Sequence, residues 1–130
     1  MQRIPQKPNL TETDEQIMII EWARVMERQY PDLALLYHVP NGGKRNAAEA
    51  ARFKQQGVKA GVPDLCLPVP CGTYHGLYIE LKAEGGKPSG NQLLWLEKLR
   101  QQGFCAVLCY GAKAAISTIE HYMREGSQDG

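Results

Sequence analysis

Two acidic residues and a lysine lie at the start or near the end of short apolar runs, and their types and spacing could support catalysis. Asp64 opens one run, Glu80 lies near the end of the next, and Lys82 follows two residues later. Because side chains alternate along a strand, Glu80 and Lys82 share one face, and Asp64 approaches the same point if the two strands pair. We therefore expect these three charged groups to converge.

Two carboxylates that lie this close repel one another unless a cation separates them. Mg²⁺ or Mn²⁺ fits, because hard cations prefer carboxylate, carbonyl and water oxygens. A lysine beside such a metal can orient or deprotonate a water, or neutralise charge that develops on a phosphoryl oxygen. The group therefore favours phosphodiester hydrolysis, although the spacing alone also fits a solvated surface ion pair between Glu80 and Lys82.

An alternation of helices and strands must position these residues. Capping-box spacing marks the start of two helices, at Thr13 with Gln16 and at Ser89 with Gln92. The helices are predicted at about 13–29, 47–56, 89–102 and 112–124, and the strands at LALLYHV, VPDLCLPV, GLYIELK and FCAVLCY. The last strand is an unbroken apolar run, so burial on both faces is expected. The α-β-α-β-β-α-β-α order predicts an α/β fold, a mixed sheet flanked by helices.

Length and composition are those of one globular domain. The 130 residues are 43% hydrophobic and 22% charged, so we expect a single domain over 1–130, with a flexible arm at 1–11 and a flexible tail at 125–130. No apolar run is long enough to span a membrane, and the start has no hydrophobic signal region. A cytoplasmic location is therefore expected.

The four cysteines are Cys66, Cys71, Cys105 and Cys109. A protein that is not exported usually keeps its thiols reduced. Cys105 and Cys109 lie four apart in an apolar run, unlike the close pairs of zinc sites, and read as small core hydrophobes.

Positive charge is concentrated in one segment, although the net charge of the chain is only +1. Residues 44–60 contain five basic residues against the single acid Glu49. Such a segment is either a solvated helix face or a patch that faces phosphates.

Pro63-Asp64 followed by Glu80-Leu81-Lys82 resembles the motif of the PD-(D/E)XK nuclease superfamily. The surrounding segments HVPNGGKR (38–45), AEAARFKQQGVKAGVPDL (48–65) and IELKAEGGKPSGNQLLWLEKLRQQG (79–103) resemble one branch of it, the VRR-NUC domain, over about two-thirds of the chain. The resemblance is to a stand-alone nuclease domain of phage type, which would place the protein in the host cytoplasm. It implies a restriction-endonuclease-like fold.

The resemblance also implies roles for the motif residues. Asp64 and Glu80 would bind the metal through their side chains, and the backbone carbonyl of Leu81 would complete the protein ligands. Lys82 would act on the attacking water.

Two helical residues match the family pattern, and each also fits a simpler interpretation. Glu21 matches the acid that the family contributes from its N-terminal helix, but it also fits an exposed pair with Arg24. Gln92 resembles a helix glutamine near the catalytic centre, but it also fits a capping box with Ser89.

A glycine-rich turn precedes the second predicted helix and could contact DNA. Glycines allow close backbone approach, and the free N–H groups at a helix N-terminus favour a phosphate. A tight turn with a solvated basic start is the alternative. The residues predicted to contact DNA are His38, Asn41, Gly42, Gly43, Lys44, Arg45, Arg52 and Lys59.

Taken together, the sequence predicts a Mg²⁺- or Mn²⁺-dependent DNA endonuclease. The resemblance adds selectivity for branched DNA such as the four-way Holliday junction, a place in DNA repair, and a homodimer that presents two active sites. The alternatives are a DNA-binding module of the same fold that lacks catalysis, and a small metal-binding or regulatory domain in which Glu80 and Lys82 form an ion pair.

Overall fold

A computed structural model of the protein describes residues 10–40 and 46–128, with side chains as far as residue 125. The helices are α1 (Glu12–Met26), α2 (Ala47–Gln55), α3 (Gly90–Gln101) and α4 (Gly111–Gln128). The strands are β1 (Tyr37–His38), β2 (Leu65–Leu67), β3 (Leu77–Lys82) and β4 (Cys105–Tyr110), and a short 3₁₀ helix occupies Pro31–Leu35. No helix in these ranges combines the length and the apolar character needed to cross a membrane.

The four strands form one mixed sheet in the order β1-β2-β3-β4. β2 is antiparallel to both β1 and β3, whereas β4 runs parallel to β3. The chain can make that parallel step because α3 carries it from the end of β3 back to the start of β4. The predicted α/β class and the order of its elements are confirmed.

Two helix starts show the local chemistry that fixes element boundaries. At α3, Ser89 and Gln92 form the predicted capping box. At α1 the box was predicted two residues too late, because Thr11 is the N-cap and Asp14 supplies the reciprocal acceptor. Aspartate can take the place of the usual Glu or Gln, because its carboxylate reaches the N-cap N–H in the same way.

Other predicted boundaries need correction. The run LALLYHV is not one strand, because Pro31 opens the 3₁₀ helix that buries Leu33, which leaves only two residues for β1. At the other end, α4 extends to Gln128, beyond the predicted start of a tail. Burial of β4 on both faces was also wrong: only Ala106 and Cys109 of this strand are buried, and Tyr110 is exposed.

Helices α1 and α4 pack together against one face of β3 and form the main core. Its buried members include Ile19, Ala23, Leu77, Ile79, Leu81, Cys109, Ala115, Ile119 and Tyr122. The Glu15 carboxylate of α1 accepts the Ala112 N–H at the start of α4, and the Tyr122 hydroxyl donates to the Val69 carbonyl over 2.6 Å. All four cysteines are free thiols, as predicted for Cys66, Cys71, Cys105 and Cys109.

The segment between α2 and β2 is held against α3, and this contact positions Asp64. The Trp95 indole donates to the Ala60 carbonyl over 3.0 Å. Gly61 has φ +92°, and a Cβ there would lie only 2.8 Å from the backbone carbon of Asn91. Only glycine therefore fits, both for the backbone conformation and for the close approach.

Gly61→Ala should destabilise the protein much more than Gly57→Ala. Gly57 has φ +96°, but a Cβ there would meet nothing within 4 Å. We expect a loss of about 1 kcal/mol in unfolding free energy for Gly57→Ala, from the left-handed conformation alone. The overlap with Asn91 should raise the loss to about 3 kcal/mol for Gly61→Ala. Urea unfolding of both variants measures the difference, and equal losses would contradict the close contact.

Candidate metal centre

Three carboxylates from separate parts of the chain converge near the end of β3. Ligand oxygens of Glu12, Asp64 and Glu80 all lie within 4.8 Å of one another. Glu12 comes from the first turn of α1, Asp64 directly precedes β2, and Glu80 lies within β3. The predicted meeting of Asp64 and Glu80 is therefore present in the structure.

Strand pairing explains the position of Asp64. Leu65 lies opposite Ile79 in the antiparallel β2–β3 pair, so the preceding residue faces Glu80. The Asp64 side chain accepts the Leu81 N–H over 2.8 Å. Its backbone carbonyl accepts the Val39 N–H over 2.7 Å and contacts the His38 ring nitrogen Nδ1 at 2.9 Å. Asp64 is thus fixed through both its side chain and its backbone.

Glu80 is buried, with 1% of its surface exposed. No donor within the described residues forms a hydrogen bond to either of its carboxylate oxygens. Lys82 Nζ lies 3.7 Å from Glu80 Oε1, and the Lys82 side chain is 13% exposed. The alternative of a solvated ion pair on an exposed strand is therefore wrong, since the carboxylate has lost its contact with water.

Burial is the main reason that the pKa of Glu80 is raised to about 8. The neighbouring carboxylates of Asp64 and Glu12 raise this pKa further, whereas Lys82 lowers it. Burial likewise raises the pKa of Glu12, with Lys82 acting against the shift and Asp64 adding to it. The site therefore holds more negative charge than its own lysine balances, and the oxygens suit a hard divalent cation.

The acid that α1 contributes to this group is Glu12, not the predicted Glu21. Glu21 is exposed and lies nine residues further along, or about 13 Å at the rise of an α-helix. It also faces away from the core, whereas Glu12 shares its side of the helix with Ile19 and Ala23. The spacing of Glu12 from Ile19 and Ala23 is the signal in the sequence that could have identified the inward-facing acid.

Gln92 forms the capping box with Ser89, which was the simpler of its two interpretations. Its side-chain oxygen accepts the Ser89 N–H over 2.8 Å, and the Ser89 hydroxyl accepts the Gln92 N–H over 3.2 Å. The residue therefore holds the first turn of α3. A catalytic role for Gln92 stays a prediction.

The predicted DNA contacts are placed only in part. Asn41, Gly42, Gly43, Lys44 and Arg45 lie outside the described residues. His38, Arg52 and Lys59 are exposed, and His38 lies beside the carboxylate group through its contact with Asp64. A groove of about 610 Å³ between α2 and the start of α3 is lined by Lys54 and Lys59.

The burial of Glu80 makes metal-free stability depend on pH. The ordinary pKa of 4.5 applies in the unfolded chain, whereas the folded protein keeps the proton up to about 8. Between these values the folded state binds more protons, so its stability falls as pH rises. Glu80→Gln should remove this loss and raise the melting temperature near pH 8 in EDTA by about 4 °C for each kcal/mol regained.

The pH profile supplies the control for this prediction. Near pH 5, where the wild-type carboxyl is protonated, the two melting temperatures should nearly coincide. The exposed residue Glu21 provides a matched substitution, and Glu21→Gln should leave the profile unchanged. Calorimetry that found the same gap between wild type and Glu80→Gln at both pH values would contradict the raised pKa.

Comparison with known proteins agrees with this geometry. Residues 10–113 match the sequence model of the VRR-NUC domain. A solved structure described as a VRR_NUC domain protein is 36% identical, superposes with a TM-score of 0.79, and is matched over 92% of this chain and 93% of its own.

A second solved structure, described as a VRR_NUC domain, is 23% identical with a TM-score of 0.50 over 83% of this chain and 97% of its own, and shows likeness of fold alone. No curated protein matches the chain. The family match spans most of the chain and contains all three converging carboxylates. The chain therefore belongs to the VRR-NUC domain family, whose fold is that of a DNA-processing nuclease.

Proposed function

We propose that the protein is a divalent-metal-dependent endonuclease that hydrolyses phosphodiester bonds in branched DNA, including four-way junctions. The observation that carries the proposal is the buried Glu80 carboxylate, which has no hydrogen-bond donor and converges with Glu12 and Asp64 beside Lys82. A buried carboxylate without a donor is costly unless a cation completes it. Membership in a nuclease family gives this cation a chemical purpose.

Mg²⁺ or Mn²⁺ is the cation that the donor set fits. Glu12, Asp64 and Glu80 would hold it through carboxylate oxygens, and the Leu81 carbonyl would complete the protein ligands. A bound divalent cation supplies a Lewis acid for the phosphoryl oxygen and lowers the pKa of a coordinated water. Asp64 keeps its position because the Leu81 N–H holds the carboxylate from the side of β3.

Lys82 is the residue that we place at the reacting atoms. Hydrolysis forms a phosphorus–oxygen bond from water and breaks one bridging phosphorus–oxygen bond, so negative charge grows on the phosphoryl group and a proton leaves the water. The Lys82 ammonium shares a strand face with Glu80 and stays partly accessible, so it can orient the water and stabilise that charge.

The basic groove between α2 and the start of α3 supports DNA contact. Lys54 and Lys59 line the groove together with Ala60, whose carbonyl accepts a hydrogen bond from the Trp95 indole. Lysines in such a position bind phosphates and set the register of the duplex without reading its sequence. The glycine-rich segment at 41–45 would extend this contact. Branched-DNA selectivity and a homodimer follow from the family resemblance.

Glu12 and Glu21 offer a matched pair for testing the site. With Mg²⁺ or Mn²⁺ we expect Glu12→Gln, Asp64→Ala and Lys82→Ala to slow cleavage of a four-way junction by at least about 100-fold. Glu21→Gln should stay within about twofold of the wild type, because its side chain lies on the opposite side of α1. EDTA should stop cleavage by every variant.

Single-turnover cleavage of linear duplex, 5′-flap and four-way-junction DNA measures these rates and the substrate preference. A wild-type protein that binds DNA but cuts none of the three substrates would overturn the nuclease and favour the binding module. Equal loss in Glu12→Gln and Glu21→Gln would contradict the assignment of the α1 ligand.

The basic groove gives a separate prediction about binding. Lys54→Glu and Lys59→Glu should each weaken DNA binding across all sequences and lower the salt-dependence slope by about one. Lys98→Glu is the control, because Lys98 is an exposed lysine of α3 that does not line the groove. Fluorescence anisotropy over a range of salt concentrations measures the slopes. The same slope for all three variants would exclude the groove as the contact surface.

A further inference from the structure

An apolar pocket lies beside the metal centre and is used by neither the core nor the three carboxylates. Its volume is about 310 Å³, at the lower end of the range for ligand pockets. Val39, Val58, Val62 and Trp95 form most of its wall, and of the described residues that line it only Lys59 carries a charge. We call this cavity the Val58 pocket.

The pocket offers its occupant apolar contact in a place that water can reach. Trp95 presents only apolar surface there, because its single N–H is already donated to the Ala60 carbonyl over 3.0 Å. Val58 is 42% exposed, so the pocket is open to solvent and is not sealed in the core. A ligand that covered these apolar side chains would gain the free energy of removing them from water.

The Val58 pocket is continuous with the basic groove between α2 and the start of α3. Gly57, Val58 and Lys59 line both cavities, and a Cβ at Gly57 would meet nothing within 4 Å, which leaves the passage between them open. Lys54 and Lys59 supply positive charge on the side of the groove. A molecule that fits both cavities therefore combines an anionic group with a compact apolar one.

The pocket also adjoins one of the converging acids. The Val39 N–H donates to the Asp64 carbonyl over 2.7 Å. One wall of the pocket is thus a single hydrogen bond away from the residue whose carboxylate meets Glu12 and Glu80. The groove, the pocket and the carboxylates therefore follow one another in space.

We propose that the Val58 pocket binds an unpaired base of the DNA substrate while the lysines of the groove bind neighbouring phosphates. A nucleotide joins an anionic phosphate to a base whose faces stack on apolar and aromatic side chains, and the two cavities present that combination. A base inside a duplex is already stacked, so an unpaired base enters at the lowest cost. The assignment of DNA as the ligand rests on the proposed function.

The chemistry of the pocket disfavours two other occupants. The chain itself continues after Pro40 with Asn-Gly-Gly-Lys-Arg, which has no apolar side chain to fill the cavity. A phosphate would need several polar partners inside the pocket, and among the described lining residues Lys59 alone has a charged side chain. Such a wall holds a base by its faces and does not read its edges, so any of the four bases should fit.

Equilibrium binding to 5′-flap DNA in EDTA tests the pocket without any cleavage. An abasic site placed at each unpaired position in turn removes one base and keeps its phosphate. At the position that fills the pocket, the wild type should bind the intact flap about tenfold more tightly than the abasic one. Val58→Asn should bring this ratio to within about twofold of one, because it places a polar amide in the apolar wall.

Two further variants serve as controls. Val25→Asn makes the same change at an exposed valine of α1 that lines neither cavity, so it should keep the tenfold ratio. Lys54→Gln removes a charge from the groove alone and should weaken binding to intact and abasic flaps by the same factor. Circular dichroism melts check that the variants fold. If Val58→Asn does not fold, the abasic scan of the wild type decides by itself.

Binding and cleavage can fail separately. A wild type that binds every abasic flap as tightly as the intact one overturns the base pocket, as does a tenfold ratio that Val58→Asn retains. If the wild type prefers the intact flap but cuts no DNA with Mg²⁺ or Mn²⁺, the nuclease fails and the pocket stands. If it cuts DNA while no abasic site alters binding, the nuclease stands and the pocket fails. A protein that binds no flap DNA contradicts both.

Discussion

The burial of one carboxylate governs the arrangement around it. Glu80 lies inside the sheet-helix sandwich with no donor, among the described residues, for either oxygen. Folding therefore takes this carboxyl group out of water, which raises its pKa to about 8, while two further acids stand beside it. Lys82 balances part of this charge from 3.7 Å away. A proton completes the site below about pH 8, and the cation of the proposed function would compete with that proton for the same oxygens.

The antiparallel pairing of β2 with β3 fixes the positions of the charged side chains relative to one another. Leu65 opposite Ile79 fixes which residues face one another, and a slip of one residue would send Glu80 into the apolar core and Leu81 to the site. The bond between the Asp64 carboxylate and the Leu81 N–H pins that register. The ligand positions therefore depend on the backbone ladder more than on any single side-chain packing contact.

The sequence predicted the order of the elements and most of the charged group at the site, and the parts that it missed have physical causes. Alternation along strands correctly brought Asp64, Glu80 and Lys82 together, because the period of two is independent of tertiary packing. Glu12 was missed because the helix start was placed at Thr13, which left Glu12 outside the helix and left Glu21 as the apparent candidate. The burial of Glu80 depends on how the other elements pack around β3, which periodicity within one strand does not reveal.

The shortness of β1 has a consequence for how such a protein can diversify. Its two residues are anchored to β2, and both His38 and Val39 contact the carbonyl of Asp64. The glycine-rich segment 41–45 follows directly in the chain. Insertions or deletions after Pro40 would change how far that segment reaches while the anchored residues keep the ligands aligned. In the proposed nuclease, substrate reach and chemical competence would thereby be separable traits, and the first could be adjusted without rebuilding the second.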